Sequence, residues 1–189
     1  MSQFQNLKII AFVGLTGSGK SAAVEYLTKK GYPRVYFGGV IYKAMTEAGI
    51  EITPESQQIF RKQIREREGK DFVVKRIIDE VNDLAAAGQH RIVADGIYTW
   101  TEYKEMKHAF PGELTTVAVI SPKHLRYRRL AVRPDRPFTE QQATTRDWSE
   151  IEDLEKGGPI AIADYSIMND SDLENLYKQI DQIVEHIDF

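Results

Sequence analysis

The residues best able to do chemistry in this 189-residue sequence follow its first apolar run. Gly14-Leu15-Thr16-Gly17-Ser18-Gly19-Lys20-Ser21 lies between the apolar stretch Leu7 to Val13 and an amphipathic one, with the spacing G-x-x-x-x-G-K-[ST]. Glycines at this spacing let the backbone curl so that successive N–H groups point inward, and a helix beginning near Lys20 adds partial positive charge at the same place. Gly14, Thr16, Gly17, Ser18 and Gly19 are thereby candidate contacts for a polyphosphate. Lys20 is suited to neutralise β and γ phosphates, and the Ser21 hydroxyl to meet Mg2+. A plain flexible turn is the competing reading, and it does not explain the strand-like and helix-like flanks.

A second candidate is Asp95 in "RIVADGIYTW", an acid emerging from an apolar run. A carboxylate there can order Mg2+ through water or accept a proton from an attacking hydroxyl, although aspartate also ends strands simply as a turn former. The third is a group of arginines. Arg126, Arg129 and Arg133 fall three and four apart and share a face if helical, with Arg136 in a proline-rich loop and Arg146 in the next helix. Planar, permanently charged forks suit the equatorial oxygens of a transferring phosphoryl group, while a basic surface helix is the alternative.

The elements that must position these residues alternate. Strands are expected at Leu7 to Val13, Arg34 to Phe37, His90 to Asp95, Leu114 to Ile120 and within "ADYSIMND". Helices are expected from about Lys20 to Lys30 and, from the Thr53-Pro54 start, to about Arg67. Others run from Asp71 to the Gly88 stop, over Lys123 to Val132, and after the proline-rich loop to about Lys156. Ser171 with Glu174 suggests a capping box for a last helix whose Leu173, Leu176, Ile180, Ile183 and Ile187 share a face. Such alternation implies a mostly parallel sheet covered on both sides, with ligands beyond the carboxyl ends of its strands.

Composition narrows the function classes. A chain with 42% hydrophobic and 28% charged residues can bury one ordinary core, and one domain is expected. Cysteine is absent, which removes disulfides, zinc–thiolate sites and cysteine nucleophiles and fits a reducing compartment. With no leader-like start and no long apolar run, a cytoplasmic setting is expected. The net charge of -3 argues for neither a nucleic-acid nor a membrane partner. Positive charge is concentrated between Ser121 and Arg146 and negative charge beyond Asp147, a distribution suited to a small anionic ligand. His90, His108, His124 and His186 lack metal-ligand spacing.

On these residues the sequence resembles the small-molecule P-loop kinases, including nucleoside monophosphate kinases and dephospho-CoA kinases. The resemblance runs through "GLTGSGKS", "DGI", "RYRRLAVR" and "ADYSIMN", in order along nearly the whole chain. It implies a three-layer α/β/α P-loop NTPase fold with a mostly parallel five-stranded sheet. The core would span about 1–37, 90–132 and 157–189, with a helical acceptor-binding region at about 38–89 and a short lid at about 133–139. It also implies ATP with Mg2+, held by Ser21 and Asp95. Lys20, Asp95, Arg129 and Arg133 would be catalytic, and Asn169 would lie beside the adenine or else cap the last helix.

The acceptor half departs from both patterns. Phe37-Gly38-Gly39 stands where dephospho-CoA kinases have an acid, and Tyr42-Lys43 and Tyr98 stand nearest the positions where monophosphate kinases have arginines. Tyr42, Lys43, Arg61, Arg65, Tyr98, Arg136 and Arg146 are the candidate acceptor contacts, with Phe37 and Trp100 as further aromatics. For Arg61 and Arg65 a solvated helical face competes with this reading, and for the aromatics a place in the core. The expected activity is phosphoryl transfer to a nucleotide or nucleotide-like small molecule by a monomer or homodimer. A dephospho-CoA kinase-like reaction is the nearer alternative and a nucleotide-dependent switch the more distant one. The Asn-Lys-x-Asp motif of GTP-specific switches is absent.

Overall fold

The run Lys8–Val13 is apolar at almost every position, and it forms strand β1 at the centre of a five-stranded sheet. Alternation along it divides the core. Ile9, Ala11 and Val13 face one apolar cluster, Ile10 and Phe12 the other. The remaining strands are β2 (Arg34–Tyr36), β3 (Arg91–Asp95), β4 (Leu114–Ile120) and β5 (Tyr165–Met168), in the order β2-β3-β1-β4-β5 with every pair parallel. The sheet is thus wholly parallel. The computed structural model describes residues 6–134 and 137–189.

One face of the sheet is covered by α1 (Lys20–Lys29) and α9 (Leu173–His186), whose Ala23, Val24, Leu27, Leu176, Ile180 and Ile183 join the cluster of Ile10 and Phe12. The other is covered by α2 (Phe37–Glu47), α3 (Pro54–Glu68), α4 (Phe72–Ala86) and α5 (Trp100–Ala109). Three layers result. α6 (Lys123–Ala131), α7 (Glu140–Glu152) and α8 (Gly157–Ala161) link β4 to β5.

Two of the helices that cover the sheet escape the sequence pattern. α2 begins at Phe37, expected to end a strand, and holds two glycines in its first turn. Those glycines are required because the Tyr36 ring lies against them, so that a Cβ at Gly38 would come within 2.6 Å of it. Burial of Val40, Ile41 and Met45 then holds the helix despite its poor start. α5 is announced by a reciprocal capping box between Thr99 and Glu102.

Three local expectations are corrected. The last helix is capped by Asp172, which accepts from the Asn175 N–H at 2.9 Å, and not by a Ser171–Glu174 box. One residue nearer the helix, Asp172 has the extended backbone an N-cap needs. Leu173 at the start of α9 is exposed rather than part of its apolar face. The helix expected to reach Lys156 ends at Glu152, because Glu155 takes a positive φ of 53° and a separate short helix follows.

Strand order reverses about β1, so its carboxyl end opens onto a crevice between β3 and β4. Asp95 is opposite Phe12 in the β1–β3 register, which brings it beside the start of the glycine loop.

Candidate active site

At its glycines the loop from Gly14 to Lys20 passes too close to its neighbours for side chains. Gly14 has φ +149°, and a Cβ there would lie 2.5 Å from the Val119 carbonyl. Gly19 has φ +105°, and a Cβ there would collide with the Asn169 amide. The Ser18 N–H donates back to the Leu15 carbonyl at 3.1 Å, closing the curl. Lys20 opens α1, and its ammonium donates to the Gly14 carbonyl at 2.7 Å and the Leu15 carbonyl at 3.3 Å. Burial, aided by the charge of Lys156, lowers its pKa to about 7. Ser21 is exposed in the first turn of α1.

On the β5 side the loop is braced through the Ser18 carbonyl. It accepts from Asn169 Nδ2 at 2.7 Å and from Ser121 Oγ at 3.1 Å. Arg129 donates to Ser121 Oγ at 2.8 Å and to the Asn169 carbonyl at 3.2 Å. Asn169 is therefore a loop brace and not the cap of the last helix, a place Asp172 holds. Beside this brace, Gly19, Ala22, Arg129, Asn169, Asp172 and Leu173 line a cavity of about 310 Å³.

The opposite side is ionic. Glu150, fully buried on α7, accepts from the Thr16 N–H at 2.9 Å and from the Thr16 hydroxyl. The same carboxylate receives Lys156 Nζ at 2.7 Å and Arg146 Nε at 3.1 Å. Burial pushes the Glu150 carboxyl up, but the charge and hydrogen bond of Lys156, with those of Thr16 and Arg146, prevail and lower it to about 2. Lys156 is itself buried, and burial lowers its pKa against the pull of Glu150. Its ammonium also stands 4.9 Å from the centre of the Tyr98 ring.

The three helical arginines do not act together. Arg126 is buried with both arms on Asp147 at 2.7 Å, and it donates to the Thr16 carbonyl at 3.2 Å. Arg129 faces the brace, and Arg133 is exposed beyond the end of α6 at Ala131. Their shared face is lost because the helix stops two residues before Arg133. Arg136 lies outside the described residues.

Across the crevice, Arg34 pairs with Asp95 at 3.6 Å. Burial pushes the Asp95 carboxyl up, against the pull of Arg34 and Lys20. Tyr36 and Tyr98 close around it, and burial and the Asp95 charge push both phenols up while the charge of Arg61 draws both down. Arg65 acts on Glu102, which anchors the Tyr98 N–H at 2.7 Å. Tyr98, Arg61, Arg65 and, through a 6.5 Å ring contact with Tyr36, Tyr42 are thus gathered on one side. Lys43 is exposed and acts on Glu80 of α4 instead. Trp100 stacks on Tyr103 and packs against the core.

Among the described residues no group of three or more His, Asp and Glu is placed to hold a metal. Ser21 and Asp95 suit Mg2+ all the same, since that ion takes one or two protein oxygens and completes its shell with phosphate and water. Glu150, Lys156, Ser121 and Asp147 are the site residues that the sequence pattern does not disclose.

Residues 10–165 match the model of a family described as an AAA domain. A UPF0200 protein of Thermococcus onnurineus is 34% identical over 182 residues, covering 95% of this chain and 97% of its own. Among solved structures, shikimate kinase from Acinetobacter baumannii in complex with shikimate superposes with a TM-score of 0.55 at 19% identity, covering 95% of this chain and 94% of its own. Dephospho-CoA kinase from Campylobacter jejuni superposes with a TM-score of 0.56 at 14% identity, covering 96% and 98%. The chain belongs to the UPF0200 family, and its architecture is the three-layer α/β fold of the P-loop kinases.

Proposed function

We propose that this protein is an ATP- and Mg2+-dependent phosphotransferase whose acceptor is a nucleotide or nucleotide-like small molecule. The observation that carries the reading is the meeting of Lys20, at the start of the helix that follows β1, with Asp95, at the end of the adjacent parallel strand β3, at the carboxyl end of the sheet where strand order reverses. The loop amides and Lys20 hold the β and γ phosphates, and the base enters the cavity beside Arg129 and Asn169. Bound between Ser21 and Asp95, Mg2+ would neutralise the charge developing on the phosphates. An acceptor oxygen attacks the γ phosphorus, the bond to the bridging oxygen breaks and ADP leaves. Asp95 faces that space, where it can order the metal's water or take the acceptor's proton. Of the described arginines beside the loop, Arg126 is spent on Asp147, which leaves Arg129 and Arg146 for the phosphates, and Arg133 and Arg136 belong to the lid of this reading.

The acceptor enters between β2 and α3, where Arg61 offers charge and Tyr36, Tyr42 and Tyr98 offer ring faces. The domain division that goes with this reading is one kinase unit with an acceptor region at about 38–89 and a lid at about 133–139. No helix among the described residues is long and apolar enough to cross a membrane. A cytoplasmic setting, with a free small molecule rather than nucleic acid as partner, fits an ATP-dependent reaction of this kind. The test is ADP release from MgATP with nucleoside monophosphates, dephospho-CoA or shikimate as acceptor. Release that depends on a nucleotide-like acceptor is expected. MgATP binding with no acceptor-dependent release would instead mark a nucleotide switch.

A further inference from the structure

Tyr36 and Tyr98 bring more than ring faces to the acceptor side. In the β2–β3 register Tyr36 stands opposite Asp95, and Tyr98 folds back across Gly96 toward the same carboxylate. Both rings are held in place. A Cβ at Gly96 would come within 2.5 Å of the Tyr98 ring, and one at Gly38 or Gly39 within 2.6 or 2.9 Å of the Tyr36 ring. The Lys156 ammonium stands 4.9 Å from the centre of the Tyr98 ring and the Arg34 guanidinium 5.2 Å from that of Tyr36, so backbone and a cation fix each ring together. The hydroxyls are unspent, for neither donates a hydrogen bond among the described residues. The Tyr98 phenol lies within electrostatic reach of Tyr36 and of Asp95, which gathers three side-chain oxygens in one place. Cations there are mostly engaged. Arg34 pairs with Asp95 at 3.6 Å, Arg65 acts on Glu102 and Lys43 on Glu80. Arg61 has no ion-pair partner among the described residues, and its charge falls on the two phenols.

We propose that the acceptor is phosphorylated on a hydroxyl rather than on a phosphate, with that hydroxyl held by Tyr98, Tyr36 and Asp95 and the acceptor's own anionic group at Arg61. The inference rests on the phosphotransferase reading above. A hydroxyl is donor and acceptor at once, so it gives its hydrogen to the Asp95 carboxylate while accepting from a phenol. A phosphate in that place would set its charge against Asp95, with a single unpaired guanidinium to offset it. In the transfer the hydroxyl oxygen bonds to the γ phosphorus, and the bond from that phosphorus to the bridging oxygen breaks. Its electron pair leaves on ADP, and the hydroxyl's proton passes to Asp95. The acceptor class is therefore a hydroxyl-bearing anion, such as a nucleotide attacking through its ribose, and the product is a phosphate monoester.

The test gives the full chain MgATP with cytidine 5′-monophosphate, dephospho-CoA or shikimate and reads the product by ³¹P NMR. Each acceptor carries hydroxyls and an anion, and the first can also be phosphorylated on its phosphate. A new monoester phosphorus is expected, so the monophosphate should yield a bisphosphate. Cytidine diphosphate as its product would overturn this inference and leave the phosphotransferase reading standing. No acceptor-dependent product with any of the three defeats that reading, and this one with it. Tyr98→Phe and Tyr36→Phe keep the rings against their glycines and remove the hydroxyls. Each is expected to lower kcat/KM for the acceptor about tenfold, the worth of one hydrogen bond, with KM for MgATP unchanged. Arg61→Gln should raise the acceptor's KM about tenfold with kcat kept. Acceptor kinetics unmoved in both phenylalanine variants, or MgATP affected equally, overturns the role of the phenols, and an unmoved KM in Arg61→Gln overturns the place of the anion.

Discussion

The two walls of the glycine loop are built from different chemistry. On the β5 side, neutral groups of Asn169 and Ser121 grip the Ser18 carbonyl, an atom that no phosphate would contact. On the α7 side, the buried Glu150 carboxylate grips the Thr16 N–H and hydroxyl. The carbonyl is held by neutral donors, whereas the amide is held by a carboxylate that Lys156 and Arg146 must neutralise. The two grips thus differ in charge, assigned by whether the loop atom accepts or donates.

The largest effect should come from the residue between the walls. Lys20→Ala is expected to lower turnover by about a thousandfold, as removal of a donor aimed at developing charge does, without lowering the unfolding midpoint. A kinetic assay beside a thermal melt separates the two. Next comes the support of the α7 wall. Asp147→Ala leaves Arg126 buried without its carboxylate, and denaturant titration should register a loss of about 3 kcal/mol. Asn169→Ala strikes the opposite wall and should cost about 2 kcal/mol, with weaker MgATP binding, because the Ser18 carbonyl loses a buried donor. If the Asn169 variant proved the more damaging of the two, the picture of an ionic wall supported by Arg126 would need revision.

The ionic wall should also respond to pH. Lys20 sits near 7 in the folded protein, below its unfolded value of 10.5. The cost of keeping it charged is therefore full below pH 7, and stability from this group rises as the pH climbs toward 10.5. A bound phosphate favours the charged ammonium, so MgATP binding should take up a proton above pH 7. Affinity should then fall by up to about tenfold per pH unit above neutrality. Calorimetry in buffers of different ionisation enthalpy reads that proton directly. The smallest change is expected at Lys43→Ala, exposed and outside both walls, with stability altered by less than about 0.5 kcal/mol.

What the sequence discloses follows the same division. β1, β3 and β4 are legible because they are buried on both faces and so read as largely apolar runs. The glycine loop is legible because its chemistry is contiguous. α5 was written in the Thr99–Glu102 capping box, but α2 was hidden by two glycines that answer to the Tyr36 ring rather than to helix propensity. Glu150 and Lys156 lie in the acid-rich segment beyond Asp147, where charges read as solvated. Only the packing of α7 and α8 against the loop turns them inward. Arg126 shows the converse, since its helical spacing suggested a phosphate contact while its true partner, Asp147, stands 21 residues away.

The central claim is that the backbone from Gly17 to Lys20 receives a nucleotide's phosphates. Titration of ¹⁵N-labelled protein with MgATP, followed at the amides of Gly17, Ser18 and Gly19, tests it most directly. Saturable shifts at all three that vanish in Lys20→Ala are predicted. Amide resonances unmoved at millimolar MgATP, or moved equally in the variant, would contradict the account.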